Sequence, residues 1–372
     1  MIGTRPEAIK LTPVAHALAG RGLEPTLILT GQQVLDPGDY GLAEFAQLPL
    51  ACPGRPDPHK QVREVAAALL PHLHRAPPSL VVVQGDTSSA LGAALAAFAA
   101  AIPVAHVEAG LRTHDPRLPW PEEEYRTAID AQAQLLFAPT EIAAHNLRSE
   151  HVPGEIHVTG NTGIDALLRV EKQLPRAALH DGGLPRLLVT CHRRESWGEG
   201  LASIAAALRE MGGSGLARAD FILHPNPHVA EIMRTQLAGT PNLRLLDPCG
   251  HAELVRLMRD ADLILSDSGG IQEEAPALGT PLLILRDKTE RPEGIATGNA
   301  RLVGTDAERI VADVRRLLAD PLNLATMARR SLPYGDGRAA PRIAVIIEEW
   351  LDRRPMSAVT NARTAPGSPA RW

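Results

Sequence analysis

The sequence predicts an α/β protein of two Rossmann-like, doubly wound domains, each a parallel sheet with helices on both faces. Three observations carry the expectation. Short Leu-, Val- and Ile-rich runs alternate with Ala- and Leu-rich stretches, the pattern of repeated βα units. Several runs are apolar without alternation, Leu80-Val81-Val82-Val83 among them, as strands buried on both faces are. The chain has 372 residues, 44% of them hydrophobic, which exceeds what one core usually organises and suffices for two.

Strands are expected at 26–30, 80–84, 103–107, 135–138 and 156–159 in the first half, and at 186–190, 221–224, 243–246, 263–266, 282–285 and 301–303 in the second. Stretches 90–101 and 252–260 are typical of the intervening helices. The series restarts after Asn161-Thr162-Gly163, and residues 174–185, with Pro and a Gly-Gly pair, read as a connection. The expected division is a first domain over 1–168 and a second over 169–340, facing a cleft. Residues 353–372, rich in Pro, Ala, Ser and Thr, read as a disordered tail. A Rossmann-like domain ordinarily opens on a buried strand of about five residues. Only Met1 and Ile2 precede the Gly3-Thr4-Arg5 loop, so the first strand is truncated or the reading frame continues upstream with an apolar segment; the second is expected.

Composition excludes several classes. The net charge is −5 and the aromatic content 3%, which leaves neither a basic face nor stacking platforms for nucleic acid. Cys52, Cys191 and Cys249 are far apart and form no CxxC pair, so neither a zinc site nor a disulfide framework is expected. No apolar run approaches the ~20 residues of a membrane span, and no apolar stretch for export opens the chain. The expectation is a cytoplasmic protein.

Ligands of open α/β sheets sit outside the carboxyl ends of the strands. Residues that follow strands are therefore the candidates. In Gly3-Thr4-Arg5-Pro6-Glu7-Ala8-Ile9-Lys10 a turn leads into a helix, whose free N–H groups favour anions, and Arg5 and Lys10 add positive charge. The bland alternative is a helix start with two solvated charges. Val83-Gln84-Gly85-Asp86-Thr87 ends a buried strand, and Asp86 there is equally a helix cap. In Val104-Ala105-His106-Val107-Glu108-Ala109-Gly110, Glu108 ends a buried strand, where a purely structural carboxylate is unusual. Pro119-Trp120-Pro121-Glu122-Glu123-Glu124-Tyr125-Arg126 sets three acids on a first helical turn, and compensation of the macrodipole accounts for two of them. Thr190-Cys191-His192-Arg193-Arg194-Glu195 clusters positive charge after the first strand of the second half, with Cys191 as an alternative nucleophile. The most telling motif is Ser266-Asp267-Ser268-Gly269-Gly270-Ile271-Gln272-Glu273-Glu274-Ala275-Pro276. A strand, a Ser-Gly-Gly turn and a helix start make a phosphate cradle, and Glu274, one turn in, can accept from both hydroxyls of a ribose.

Together these motifs resemble the non-hydrolysing UDP-N-acetylglucosamine 2-epimerases. The similar segments are 3–10, 84–87, 106–113, 120–126, 137–140, 159–167, 189–196, 224–229, 266–276, 286–293 and 334–337, in order along nearly the whole chain. The resemblance implies the GT-B-like fold shared with many nucleotide-sugar glycosyltransferases, with a C-terminal helix over 341–352 crossing back to the first domain. It implies that Asp86, Glu108 and Glu122 match the catalytic carboxylates and His192 the essential histidine. Arg5 and Lys10 match bases near the diphosphate, Ser268, Gly269 and Gly270 the phosphate loop, and Glu274 the ribose ligand. Arg126, His224 and Arg291 match further substrate-binding positions. A homodimer is implied, with UDP-N-acetylglucosamine and UDP-N-acetylmannosamine as the only ligands, and no cofactor or metal.

There are departures. Gln33 stands where a histidine often occurs, in a region that in several relatives helps bind a second, activating UDP-N-acetylglucosamine. Tyr125 replaces an Asn, and Cys191 a small Gly. The implied chemistry is elimination of UDP across C1–C2, because the C2 proton beside an acetal is not acidic, followed by re-addition to the opposite face. Protons handled on two faces call for at least two acid/base groups. A glycosyltransferase of the same fold would need an acceptor site, and a non-catalytic UDP-sugar sensor would need no carboxylates; both remain alternatives.

Overall fold

The computed structural model describes residues 1–175, 182–191 and 198–354. The chain opens with α1 (Arg5–Ala19), β1 (Leu27–Leu29), β2 (Gln47–Pro49), α2 (Pro58–Arg75), β3 (Val81–Gln84), α3 (Ser88–Ala99), β4 (Val104–Val107), α4 (Glu122–Asp130), β5 (Leu135–Ala138), α5 (Glu141–Ser149) and β6 (Glu155–Val158). It continues through α6 (Thr162–Glu171), β7 (Arg186–Thr190), α7 (Glu199–Gly213), β8 (Arg218–Ile222), α8 (Pro227–Leu237), β9 (Leu243–Leu246) and α9 (His251–Asp260). Then come β10 (Leu263–Ser266), α10 (Gly269–Leu278), β11 (Leu282–Ile284), α11 (Glu293–Ala296), β12 (Ala300–Leu302), α12 (Ala307–Ala319), α13 (Pro321–Met327) and α14 (Ala339–Asp352). Two compact units result. The first holds Met1–Gly110, Glu124–Thr159 and α14; the second holds Leu111–Glu123 and Gly160–Gly337.

In the first unit β3, β4, β5 and β6 form a parallel sheet in that order. Val104, Ala105, Val107, Leu135 and Phe137 are buried, as the unbroken apolar runs require. Leu11, Val14 and Leu18 of α1 share their cluster with Ile343, Ala344, Ile347 and Trp350 of α14. Strands β1 and β2 pair separately. Ile2 forms a parallel bridge to Leu29, its N–H donating to Ile28 O at 2.8 Å, while the Met1 amine donates to Val82 O at 3.0 Å. Residues 1–2 thus hold the carboxyl end of a strand position between β1 and β3. The remainder of that position is an apolar groove of about 680 Å³, lined by Leu11, Val14, Leu18, Leu80, Ile347 and Leu351 among others.

In the second unit six parallel strands run in the order β12-β11-β10-β7-β8-β9, with an apolar cluster on each face. Three expectations need correction. The second unit begins at Gly160, not 169, because Ile164 and Leu167 of α6 are buried in its core. Strand β8 begins three residues earlier than expected and ends at Ile222: it alternates buried and half-buried residues, and its Asp220 pairs with Arg244, so of the apolar run only Phe221-Ile222 belongs to it. Strand β2, exposed and closed by a proline, was not expected at all. Residues 353–354 are described, but the rest of the expected tail lies outside the described residues. No helix among them is long and apolar enough to cross a membrane.

Candidate active site

The first unit sets two carboxylates on neighbouring strand ends. Thr87 caps α3 by accepting from Ala90 N–H at 3.0 Å, which fixes the Gly85-Asp86 turn after β3. Glu108, directly after β4, has φ 70°, a conformation that costs a non-glycine residue about 1–2 kcal/mol. It is held there because the N–H groups of Glu108 and Ala109 both donate to Phe137 O at 3.1 Å. Gly110 follows at φ 84°, and a Cβ on it would stand 2.3 Å from Ala143 O, so only glycine fits.

Glu108 is buried. Its Oε2 accepts from Lys10 Nζ at 2.7 Å and from Gln84 Nε2. Lys10, expected near a diphosphate, is a counter-ion of Glu108, as a buried carboxylate demands. Asp86 accepts from Arg126 Nε at 2.9 Å and also from its Nη2. The guanidinium of Arg126, expected to bind substrate, is buried against that carboxylate. Arg5 is exposed, and its N–H donates to Gln33 Oε1 at 2.9 Å, which gives the unusual Gln33 a local partner.

Glu7 has a part that sequence reasoning missed. It is fully buried, and its Oε2 accepts from Gly3 N–H at 2.8 Å and Thr4 N–H at 2.6 Å, while Oε1 accepts from Thr87 Oγ1 at 2.6 Å. Burial pushes its carboxyl upward against these hydrogen bonds. Glu7 thereby ties the opening loop to the loop that carries Asp86. The Thr4-x-x-Glu7 spacing of a capping box was the available signal. Beneath both loops lie His106 and Asp130, fully buried and 2.6 Å apart.

In the second unit β10 ends at Ser266, whose hydroxyl bonds Thr190 at 2.6 Å, and α10 starts at Gly269. Ser268 occupies its N-cap without a side-chain cap bond, so its hydroxyl does not take up the N–H groups of the first turn. Glu274 accepts from His251 Nε2 at 3.0 Å. Burial lowers the His251 pKa, but the charge and hydrogen bond of Glu274 outweigh it and the net shift is upward. Arg291, expected on substrate, is 6% exposed and donates to Glu273 at 2.6 Å and to Glu290. Arg286 also binds Glu290, at 3.0 Å. The Arg291 guanidinium lies across Gly269, where a Cβ would stand 2.8 Å from it. It therefore adds positive charge beside the Ser-Gly-Gly turn from within an ionic cluster.

His224 Nδ1 accepts from Asn226 N–H at 2.8 Å, which leaves Nε2 as the protonated nitrogen of the neutral ring. Cys191 is buried and its thiol donates to Asp267 at 3.3 Å, an acidic neighbour that does not favour a thiolate. Glu122 is the first residue of α4 and is counted with the second unit. Its neighbour Glu123 accepts from the N–H groups of Thr113 and His114, both at 2.9 Å, and is structural. His192 lies outside the described residues. Among those residues no three His, Cys, Asp or Glu side chains cluster as a metal site.

A family described as UDP-N-acetylglucosamine 2-epimerase matches residues 16–348. The UDP-N-acetylglucosamine 2-epimerase of Salmonella typhimurium is 41% identical over 367 residues, 94% of this chain and 98% of that protein. A putative UDP-N-acetylglucosamine 2-epimerase from Listeria monocytogenes superposes with a TM-score of 0.87 at 35% identity, covering 95% of this chain and 96% of that one. The Neisseria meningitidis UDP-GlcNAc 2-epimerase bound to UDP-GlcNAc does so at 0.85 and 37% identity, covering 94% and 98%. The fold class is accordingly α/β, two Rossmann-like domains of GT-B-like type.

Proposed function

The chain belongs to the UDP-N-acetylglucosamine 2-epimerase family, and on that premise we propose that it interconverts UDP-N-acetylglucosamine and UDP-N-acetylmannosamine by eliminating UDP across C1–C2 and adding it back. The observation that carries the reading is the pair of cation-bound carboxylates, Asp86 and Glu108, on adjacent ends of β3 and β4. Ion pairing keeps Glu108 able to take a proton. A proton on Glu108 weakens its attraction to Lys10, which favours the proton's return and suits a reversible reaction. We assign Asp86, Glu108, Glu122 and His192 to proton transfer and to charge stabilisation at the departing diphosphate. Ser268, Gly269, Gly270, Glu274, Arg5 and His224 are assigned to substrate binding, and Lys10, Arg126 and Arg291 act through the acidic residues they hold. Negative charge developing on UDP is matched by the first-turn N–H groups of α10.

The test is incubation with UDP-N-acetylglucosamine alone in deuterated water, followed by NMR. The expected result is UDP-N-acetylmannosamine with deuterium at C2 and traces of UDP and 2-acetamidoglucal. Inversion with the C2 proton retained would sink the elimination route. Absence of any turnover would favour a glycosyltransferase awaiting an acceptor, or a sensor. We place the enzyme in the cytoplasm, since Cys52, Cys191 and Cys249 form no disulfide, and read it as a homodimer, which sedimentation would test.

A further inference from the structure

We propose that the buried pair His106–Asp130 is a positioning device for the epimerisation proposed above, on which reading this inference rests. It locks together the three segments that present Asp86, Glu108 and Arg126. His106 Nε2 donates to Gly85 O at 2.8 Å, the carbonyl directly before Asp86. His106 Nδ1 meets Asp130 Oδ1 at 2.6 Å. The other Asp130 oxygen accepts from Gly110 N–H at 3.1 Å, two residues beyond Glu108. Asp130 also ends α4, one helical turn after Arg126, the partner of Asp86. One imidazole and one carboxylate therefore tie the loop after β3, the loop after β4 and the end of α4.

The hydrogen-bond inventory fixes the proton count. A carbonyl only accepts, so Nε2 carries a hydrogen. The contact to Asp130 needs a second proton, on Nδ1 or on Oδ1, because a ring lone pair facing a carboxylate at that distance would repel it. With two protons the pair is electrically neutral in either arrangement. Both side chains are 0% exposed, so water cannot replace a lost bond, and a broken one leaves a buried polar group unsatisfied. The strained backbone at Glu108, φ 70°, and the left-handed turn that Gly85 makes without strain, φ 65°, stand on either side of this lock. Neither His106 nor Asp130 reaches solvent, so both act on the reaction through the groups they hold.

The variants separate hydrogen bonding from mere bulk. In Asp130→Asn the amide can donate to Nδ1 and its oxygen can still accept from Gly110, so all three bonds survive with a neutral ring. Its kcat should stay within about fivefold of wild type, whereas His106→Phe and Asp130→Ala should lose about 10²-fold, the usual effect of misplacing reacting groups by an ångström. KM should change little in any of them. Nitrogen NMR of the unliganded protein should show Nε2 of His106 protonated and slow to exchange in wild type and in Asp130→Asn. Near-normal kcat in folded His106→Phe, an Asp130→Asn as impaired as Asp130→Ala, or a bare Nε2 would each overturn the proposal. If a variant does not fold, the NMR of wild type and Asp130→Asn decides. If wild type turns over no UDP-sugar, the functional reading fails while the NMR result still stands or falls by itself.

Discussion

Lys10→Met removes the counter-ion of a buried carboxylate while keeping most of the side-chain volume. The side chains of Lys10 and Glu108 are only 10% and 5% exposed and meet at 2.7 Å. At an effective dielectric of about 20, unit charges at that distance attract by about 6 kcal/mol before desolvation is counted. Removing one partner of such a pair costs about 3–5 kcal/mol. For units of this size that corresponds to a fall in Tm of about 6–20 °C. Glu108 retains Gln84 as a donor, but without Lys10 its ionised form, the one that acts as a base, is less favoured, and kcat falls by about 10²–10⁴. Glu108→Gln alone should lose a similar factor in kcat. Lys10→Met combined with Glu108→Gln removes both charges and should recover most of the lost Tm without recovering kcat. Scanning calorimetry and an NMR epimerisation assay on all three variants make the test. A double variant no more stable than Lys10→Met, or normal turnover in Lys10→Met, would refute the pairing argument.

Four further outcomes are expected. Glu274→Ala should weaken UDP binding in calorimetry by about 1.5–3 kcal/mol and Ser268→Ala by about 1 kcal/mol; unchanged binding in the former would remove Glu274 from the site. The raised pKa of His251 means that its pairing with Glu274 stabilises the second unit fully below the unfolded value of 6.5 and loses that contribution as pH rises through the folded value. The Tm deficit of His251→Gln should therefore be largest in mild acid and vanish in alkali. Rate curves should be hyperbolic, with little activation by a second UDP-N-acetylglucosamine, because Gln33 is engaged with the Arg5 backbone; a sigmoidal curve would contradict this. Adding five β-branched residues ahead of Met1 should fill the groove between β1 and β3 and raise Tm by about 5 °C, the net of side-chain burial over chain ordering, where five Gly and Ser residues should not.

The scaffold was legible because burial on both faces writes itself into composition. Val81–Gln84, Val104–Val107, Leu135–Ala138 and Leu263–Ser266 are buried strands spelled as apolar runs. Gln47–Pro49 is a strand only through its pairing with β1, and nothing in its residues announces it. The candidate positions Asp86 and Glu108 were legible by their place after strands, but their partners were not. Lys10 and Glu108 are 98 residues apart in sequence, Arg126 and Asp86 are 40 apart, and His251 and Glu274 are 23 apart. Long cations read as ligand-binding in a linear sequence because their neutralising acids are brought up only by the fold. For the same reason Glu7, which joins two loops, was given no part by its sequence position.

The ionic cluster beside Gly269 bears on how this sequence can drift. Arg286, Arg291, Glu273 and Glu290 form a chain of alternating charges, each 4% exposed or less except Arg291 at 6%. Removing Arg291 takes a partner from both Glu273 and Glu290, and removing Glu290 takes one from both arginines, at a cost of up to about 3–5 kcal/mol, a large part of a typical domain's stability of about 5–15 kcal/mol. Gly269 is tied to the same set, since a larger residue there would displace the Arg291 guanidinium. A mutational library sampled one position at a time would therefore score these positions by what the interior loses, and only replacement of the cluster as a block would reveal how much of it a bound nucleotide requires.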